Sequence, residues 1–305
     1  MSFSPLSWRS PVPRLTYAVR RRLWPRTAKR HDAHGLRRAS LYALAGADFV
    51  LIARGPSDRI RLTRVLAELI VSELAGREHG PLRAVPVFYR GKRLIVHVDR
   101  LNDLDVLWEV FGELQYDMVE LPEAPRAVLD LGAHIGAALL ALHVRFPSAR
   151  LAAVEADPTT VRRLERNLPS GAGVRVLHAA VSGHDGMVEF FPVRDAWTSG
   201  VRPMTQSPTR AAPGTPVRVR GVRFATLMAE LDLDHVDLLK VDIEGAEWEL
   251  VKMLDEERVG TLIMEWHADL HGHAVQELPG LLPGHEVVAE WTGEPGRYMV
   301  TARPL

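Results

Sequence analysis

Apolar and polar positions alternate in two different ways along the chain. Between residues 47 and 114 short apolar runs are mixed with helical spacings. ADFVLIARG (47–55) reads as a strand. Ser57 then stands as an N-cap before Ile60, Leu62, Val65, Leu66, Leu69 and Ile70, which recur with a period near 3.6 and predict a helix. VPVFYR and RLIVHVD, separated by Gly91 and Lys92, read as a β-hairpin, and LNDLDVLWEVFGEL (101–114) as a further amphipathic helix. Pro122 and Pro125 mark the boundary of this part.

From Arg126 onward short apolar runs alternate with helical patterns. RAVLDLG, ARLAAVEAD, GVRVLHAAV, VDLLKVDIEG and GTLIMEWH read as strands; IGAALLALHVRF and PTTVRRLERNL read as helices between the first three. Strands separated by helices of this length predict a parallel, doubly wound sheet with helices on both faces. HEVVAEW and GRYMVTAR follow without a long helix between them, so they are expected to form an antiparallel hairpin at one edge. The expected fold is α/β: a seven-stranded Rossmann-like sheet preceded by an N-terminal α+β cap. The expected division is a basic arm over 1–35, a cap over 36–125 and a catalytic domain over 126–305. Residues 183–221, rich in Pro, Ser and Thr around GMVEFFP, interrupt that domain and are expected to be a lid over the sheet edge.

Composition changes this picture in two places. The formal net charge is +0, but ten Lys or Arg residues and one acid, Asp32, lie between Arg9 and Arg38. Such an arm suits an anionic partner or a terminus docked on the protein itself. There is no cysteine, which excludes disulfides, thiolate metal sites and a cysteine nucleophile. No stretch reads as a signal peptide or a bilayer span, and the expected location is cytoplasmic.

Candidate chemistry collects at the carboxyl ends of the predicted strands, where open α/β sheets bind ligands. VLDLGAHIG ends a strand in Asp130 and opens a helix through Gly132 and Gly136, a turn in which glycines let a ligand approach the backbone. An acid there would repel a dinucleotide pyrophosphate, and His134 stands where a dinucleotide-binding turn has glycine. Glu155 ends the next strand, close to the spacing of an acid that binds a ribose diol. The small residues of HAAVSGHDG leave room for a flat ring. LLKVDIEGAEWELV crowds Asp242, Glu244 and Glu247 at the end of a strand, where carboxylates serve either a helix start or a site.

DLGAHIG, EADP, AVSGHDG, KVDIEGAE and EWH, in this order, resemble the FkbM family of S-adenosylmethionine-dependent methyltransferases, and VDRLNDLDVLWEVFGELQYD resembles the segment leading into that family's core. The resemblance implies a methyltransferase sheet, S-adenosylmethionine as cofactor and methyl transfer to the hydroxyl of a small molecule such as a sugar or natural-product intermediate. It implies that Asp130, Gly132, His134 and Gly136 line the methionine part of the cofactor and Glu155 the ribose. Ala133, Ala156, Ala180 and Asp242 are the further candidates for contact with the cofactor.

An aliphatic hydroxyl needs a general base or a metal to lose its proton. Asp242, Glu244, Glu265 and His267 are the candidates, with His267 as base beside Asp242, although a strand-end His also serves as an ordinary hydrogen-bonding residue. Asp242 and Glu265 are the alternative ligands for Mg²⁺, which is not the favoured reading. The other functional classes are a nucleic-acid methyltransferase using the basic arm, also not favoured, and a non-catalytic cofactor-binding module.

Overall fold

The computed structural model describes residues 50–191, 200–201 and 216–305, apart from 78, 79, 118, 120, 169, 170, 172 and 294. The basic arm, the start of the predicted 47–55 strand and most of the 183–221 insertion lie outside them.

Seven strands form the main sheet: β3 (Ala127–Leu131), β4 (Arg150–Glu155), β5 (Arg175–His178), β10 (Val236–Val241), β11 (Val259–His267), β12 (His285–Trp291) and β13 (Arg297–Pro304). Their order is β12-β13-β11-β10-β3-β4-β5. The five from β11 to β5 are parallel, while β13 runs antiparallel to both β11 and β12. The expected edge hairpin is therefore present. The centre of the sheet is apolar on both faces, as parallel strands covered by helices must be; Leu238, Leu239 and Val241 of β10 are buried. Lys240 is the charged residue of that strand that is buried, while Asp237 is half-buried at its start.

Helices α3 (Ala137–Arg145) and α4 (Pro158–Asn167) connect β3, β4 and β5. Asp157 caps α4, its carboxylate accepting from the backbone N–H groups of Thr159 and Thr160, and Pro158 occupies the first helical position. A second, four-stranded sheet has the order β6-β9-β7-β8, from β6 (Ala180–Val181), β7 (Gly186–Phe191), β8 (Gly200–Val201) and β9 (Val217–Val222). The described part of the insertion is thus strand-built, including the predicted GMVEFFP strand. Helix α5 (Phe224–Glu230) leads from β9 to β10, and α6 (Glu247–Met253) from β10 to β11.

In the cap, α1 (Pro56–Leu74) packs beside the hairpin of β1 (Arg83–Tyr89) and β2 (Lys92–Val98). Three expectations change here. Residues 50–52 form a 3-10 turn rather than a strand, and α1 begins at Pro56 behind Gly55, so Ser57 lies inside it. Ile60 is 70% exposed. The buried stripe runs through Leu62, Val65, Leu66 and Leu69, and two residues before Leu62 is about 200° round the helix. The predicted 101–114 helix is α2 (Leu101–Leu107) continued by a π turn over Trp108–Gly112.

The cap shares one apolar core with the sheet domain, in which Leu104, Leu107 and Val110 join Ile135, Leu139 and Leu142. Buried polar groups fasten the same seam. Arg163 of α4 reaches Asp99 at 2.6 Å and Asp103 at 2.9 Å, and the Asn167 amide donates to the carbonyls of His97 and Ile135. No helix among the described residues is long and apolar enough to cross a membrane.

Candidate active site

A cleft opens beyond the carboxyl ends of β3, β4, β10 and β11, with the cap closing one side. Gly132, Ala133, His134, Glu155, Ala156 and Ala180 line one half. Asp242, Glu244 and Glu265 line the other.

The first half is held by backbone. Gly132 has φ 78°, and a Cβ there would stand 1.7 Å from the carbonyl oxygen of Asp242, so the turn after β3 and the turn after β10 touch through a position only glycine can fill. The Glu155 carboxylate accepts the backbone N–H of His134 through Oε2 and that of Asp157 through Oε1, both at 2.8 Å. Burial nevertheless pushes Glu155 up to about 6. Each of its oxygens keeps a further lone pair for a ligand. The His134 ring lines the cleft 3.8 Å from Asp103, and burial drives its pKa well below the ordinary value, so it is a neutral imidazole.

Asp130 lies beneath this half and is fully buried. It is the register partner of Lys240 on the neighbouring strand, and its carboxylate meets the Lys240 ammonium at 3.0 Å. Lys240 also donates to the Gly132 carbonyl at 2.7 Å. Burial works against the charge on Lys240, but Asp130 outweighs it and holds the ammonium above its usual range. The pair therefore braces the glycine turn from below. Gly136 opens α3 at φ 84° against Leu164. Sequence motifs alone do not single out Lys240 from KVDIEGAE; its signal is a lone cation in an apolar strand, which requires a buried partner.

The second half is built from the β10 turn and the end of β11. Glu244 takes φ 48°, a left-handed conformation costing roughly 1–2 kcal/mol in a non-glycine residue, and α6 begins at Glu247. The Glu247 carboxylate accepts the Gly245 N–H at 2.9 Å and takes His267 Nδ1 at 2.9 Å. Because an ionised carboxylate only accepts, that contact assigns the proton to Nδ1. His267 is wholly buried and does not line the cleft; its Nε2 points at Glu244 Oε2, 3.3 Å away, and stands 3.8 Å from Glu265. Burial alone would lower the pKa of His267, but Glu244 and Glu247 outweigh it and hold it well above the usual value. Burial acts the other way on Glu244 and raises its pKa well above the usual carboxylate value. The structure thus joins Asp242, Glu244, Glu265 and His267, with the histidine behind the carboxylates.

Of the other histidines of HADLHGH, His271 turns its Nε2 toward Glu247 at 3.9 Å. His273 stacks on Trp248 with ring centres 3.4 Å apart, and His271 meets the edge of Trp266 at 4.3 Å. Of the groups that could hold a metal among the described residues, Asp242, Glu244 and His267 come together, a different set from the predicted pair of Asp242 and Glu265.

The strand order and the cleft at its switch point define a methyltransferase-type Rossmann-like fold. The pattern of the methyltransferase FkbM domain matches residues 130–284, and the chain belongs to that family. It is similar to methyltransferase sdnD of Sordaria araneosa, with 30% identity over 176 residues that cover 49% of this chain and 68% of that protein. Methyltransferase 1 of Beauveria bassiana (strain ARSEF 2860) is 27% identical over 186 residues, covering 56% of this chain and 71% of the relative. Among solved structures, the methyltransferase FkbM of Methylobacillus flagellatus KT superposes with a TM-score of 0.43 at 11% identity. That match covers 85% of this chain, which spans 58% of that protein's length.

Proposed function

We propose that the protein is an S-adenosylmethionine-dependent O-methyltransferase acting on the hydroxyl of a small molecule, with a sugar or natural-product intermediate as the class of acceptor. The observation that carries this reading is the division of one cleft into a backbone-held half around Glu155 and a carboxylate half around Asp242, Glu244 and Glu265. The first half fits the donor. Glu155 has lone pairs left for the two hydroxyls of a ribose, and Ala156 and Ala180 leave width for a flat ring. The neutral His134 and the glycine turn leave the methionine end uncrowded. The bound donor supplies a methyl group on a sulfonium.

The chain's own contribution is position and charge. The wall formed by Asp242, Glu244 and Glu265 orients the acceptor hydroxyl and draws its proton, with Glu265 as the group that receives it. His267 stands behind this wall, 3.3 Å from Glu244 and 3.8 Å from Glu265, and Glu247 fixes its ring. Incubation of the full chain with isotope-labelled S-adenosylmethionine and a panel of sugars, polyketide alcohols, amines and thiols tests the reading. Label transferred to an alcohol oxygen is the expected result. Label that appears only on nitrogen, sulfur or carbon would refute the O-methyl assignment.

A further inference from the structure

Asp242, Glu244 and His267 each offer one ligand atom within 4.8 Å of the others, although they come from the β10 turn and the end of β11. The same three side chains carry buried atoms without a hydrogen bond: Asp242 Oδ1, Glu244 Oε2 and His267 Nε2. Buried polar atoms left in this way are uncommon and call for an occupant. His267 is the decisive member. It is wholly buried, its Nδ1 is fixed by Glu247, and its Nε2 is aimed into the cluster at Glu244.

The neighbouring cations are committed elsewhere or distant. Lys240 sits 3.0 Å from Asp130 but 3.8 Å from Asp242, and Arg297 stands 4.0 Å from Glu244. The cation that directly meets Glu244 is His267 at 3.3 Å, and Asp242 and Glu244 together outnumber it. Once His267 gives up its Nε2 proton to solvent, two carboxylate oxygens and one imidazole nitrogen are ligands for a six-coordinate divalent cation. Ligands of Mg²⁺ stand about 3.0 Å apart when adjacent and about 4.2 Å when opposite, so three atoms within 4.8 Å of one another are within reach of one ion.

We propose that Asp242, Glu244 and His267 form a divalent-cation site, of the Mg²⁺ or Mn²⁺ kind, at the acceptor end of the cleft. Asp242 and Glu244 both line the cleft, so the ion's remaining positions face the acceptor. Glu247 is then the outer partner that orients the His267 ligand, as carboxylates do at other metal-bound histidines. What the ion would do, binding an acceptor hydroxyl and making it more acidic, rests on the O-methyltransferase reading. The presence of the site does not.

The test is titration of Mn²⁺ into the chelator-stripped full chain, following free Mn²⁺ by electron paramagnetic resonance. One equivalent is expected to bind the native chain and raise its melting temperature. Glu244→Gln and Asp242→Asn are each expected to weaken binding at least tenfold. Should Glu244→Gln fail to fold, as its melt would show, Asp242→Asn carries the comparison, because its side chain is 31% exposed at the cleft wall. No stoichiometric binding to the native chain, or affinity unchanged in a folded variant, would overturn the proposal. S-adenosylhomocysteine binding is measured alongside: an ion site without it keeps this proposal and removes the donor reading, and the converse result does the reverse.

Discussion

The two halves of the cleft differ in what holds their carboxylates. Around Glu155, charge is met by backbone: two N–H groups hold the carboxylate, and Lys240 neutralises Asp130 while tying down the Gly132 carbonyl. Around Asp242, Glu244 and His267, side-chain atoms face one another with no hydrogen bond, and the backbone at Glu244 is left-handed. Buried polar atoms without a hydrogen bond and a left-handed residue occur in both halves, at His134 in the first and at Glu244 in the second. The difference lies in what meets the carboxylate that lines the cleft: two backbone N–H groups at Glu155, and the His267 imidazole at Glu244.

The largest expected effect is at the contact between the halves. Gly132→Ala places a Cβ against the Asp242 carbonyl at a positive φ, and is expected to cost more than about 3 kcal/mol of stability by urea unfolding and to abolish donor binding. Glu155→Ala leaves the His134 and Asp157 N–H groups without their acceptor and removes the ribose contact; donor affinity is expected to fall about 10- to 100-fold by calorimetry.

A milder form of the same change comes from pH. Burial holds Glu155 at about 6, above the ordinary 4.5, so the protonated acid gains population as pH falls through 6 and one acceptor oxygen is lost. Donor affinity is expected to fall by up to about tenfold per unit below that point, and the dependence should vanish in Glu155→Gln. Linkage has the opposite sign for folding. This group's contribution is fully present below about 4.5 and is lost as pH rises through about 6, because the folded chain binds the extra proton.

On the other half, Glu247→Gln keeps the shape but removes the charge behind His267. Turnover is expected to drop about tenfold while donor affinity stays within about twofold, a split that a general loss of folding would not produce. Lys252→Ala, which breaks an exposed pair with Glu249 on α6, is the reference: stability should change by less than about 0.5 kcal/mol, and turnover not at all.

The same contrast explains what could be read from the chain. The donor half lies between Asp130 and Asp157, where strand end, glycine turn and acid follow one another, and its motif announced it. The seven strands and the edge hairpin were legible because period-2 and period-3.6 patterns are local. The acceptor half joins residues 242–247 to 265–267 through sheet order, so membership was readable but arrangement was not. Nothing local shows that His267 would sit behind Glu244 with Glu247 at its other nitrogen. Lys240 and the Arg163 cluster with Asp99 and Asp103 were missed for the same reason: their partners lie far away in the chain. Ile60 and Ser57 show the reverse failure, where a plausible local pattern gave way to the face that the hairpin and core required.

The most direct test of the account is calorimetric titration of S-adenosylhomocysteine into the full chain and into Glu155→Gln at pH 7.5 or roughly one unit and more above the Glu155 transition. One-to-one binding to the native chain is expected, with an affinity at least tenfold weaker in a variant that still melts cooperatively. No binding to the native chain, or equal affinity in both, would contradict it.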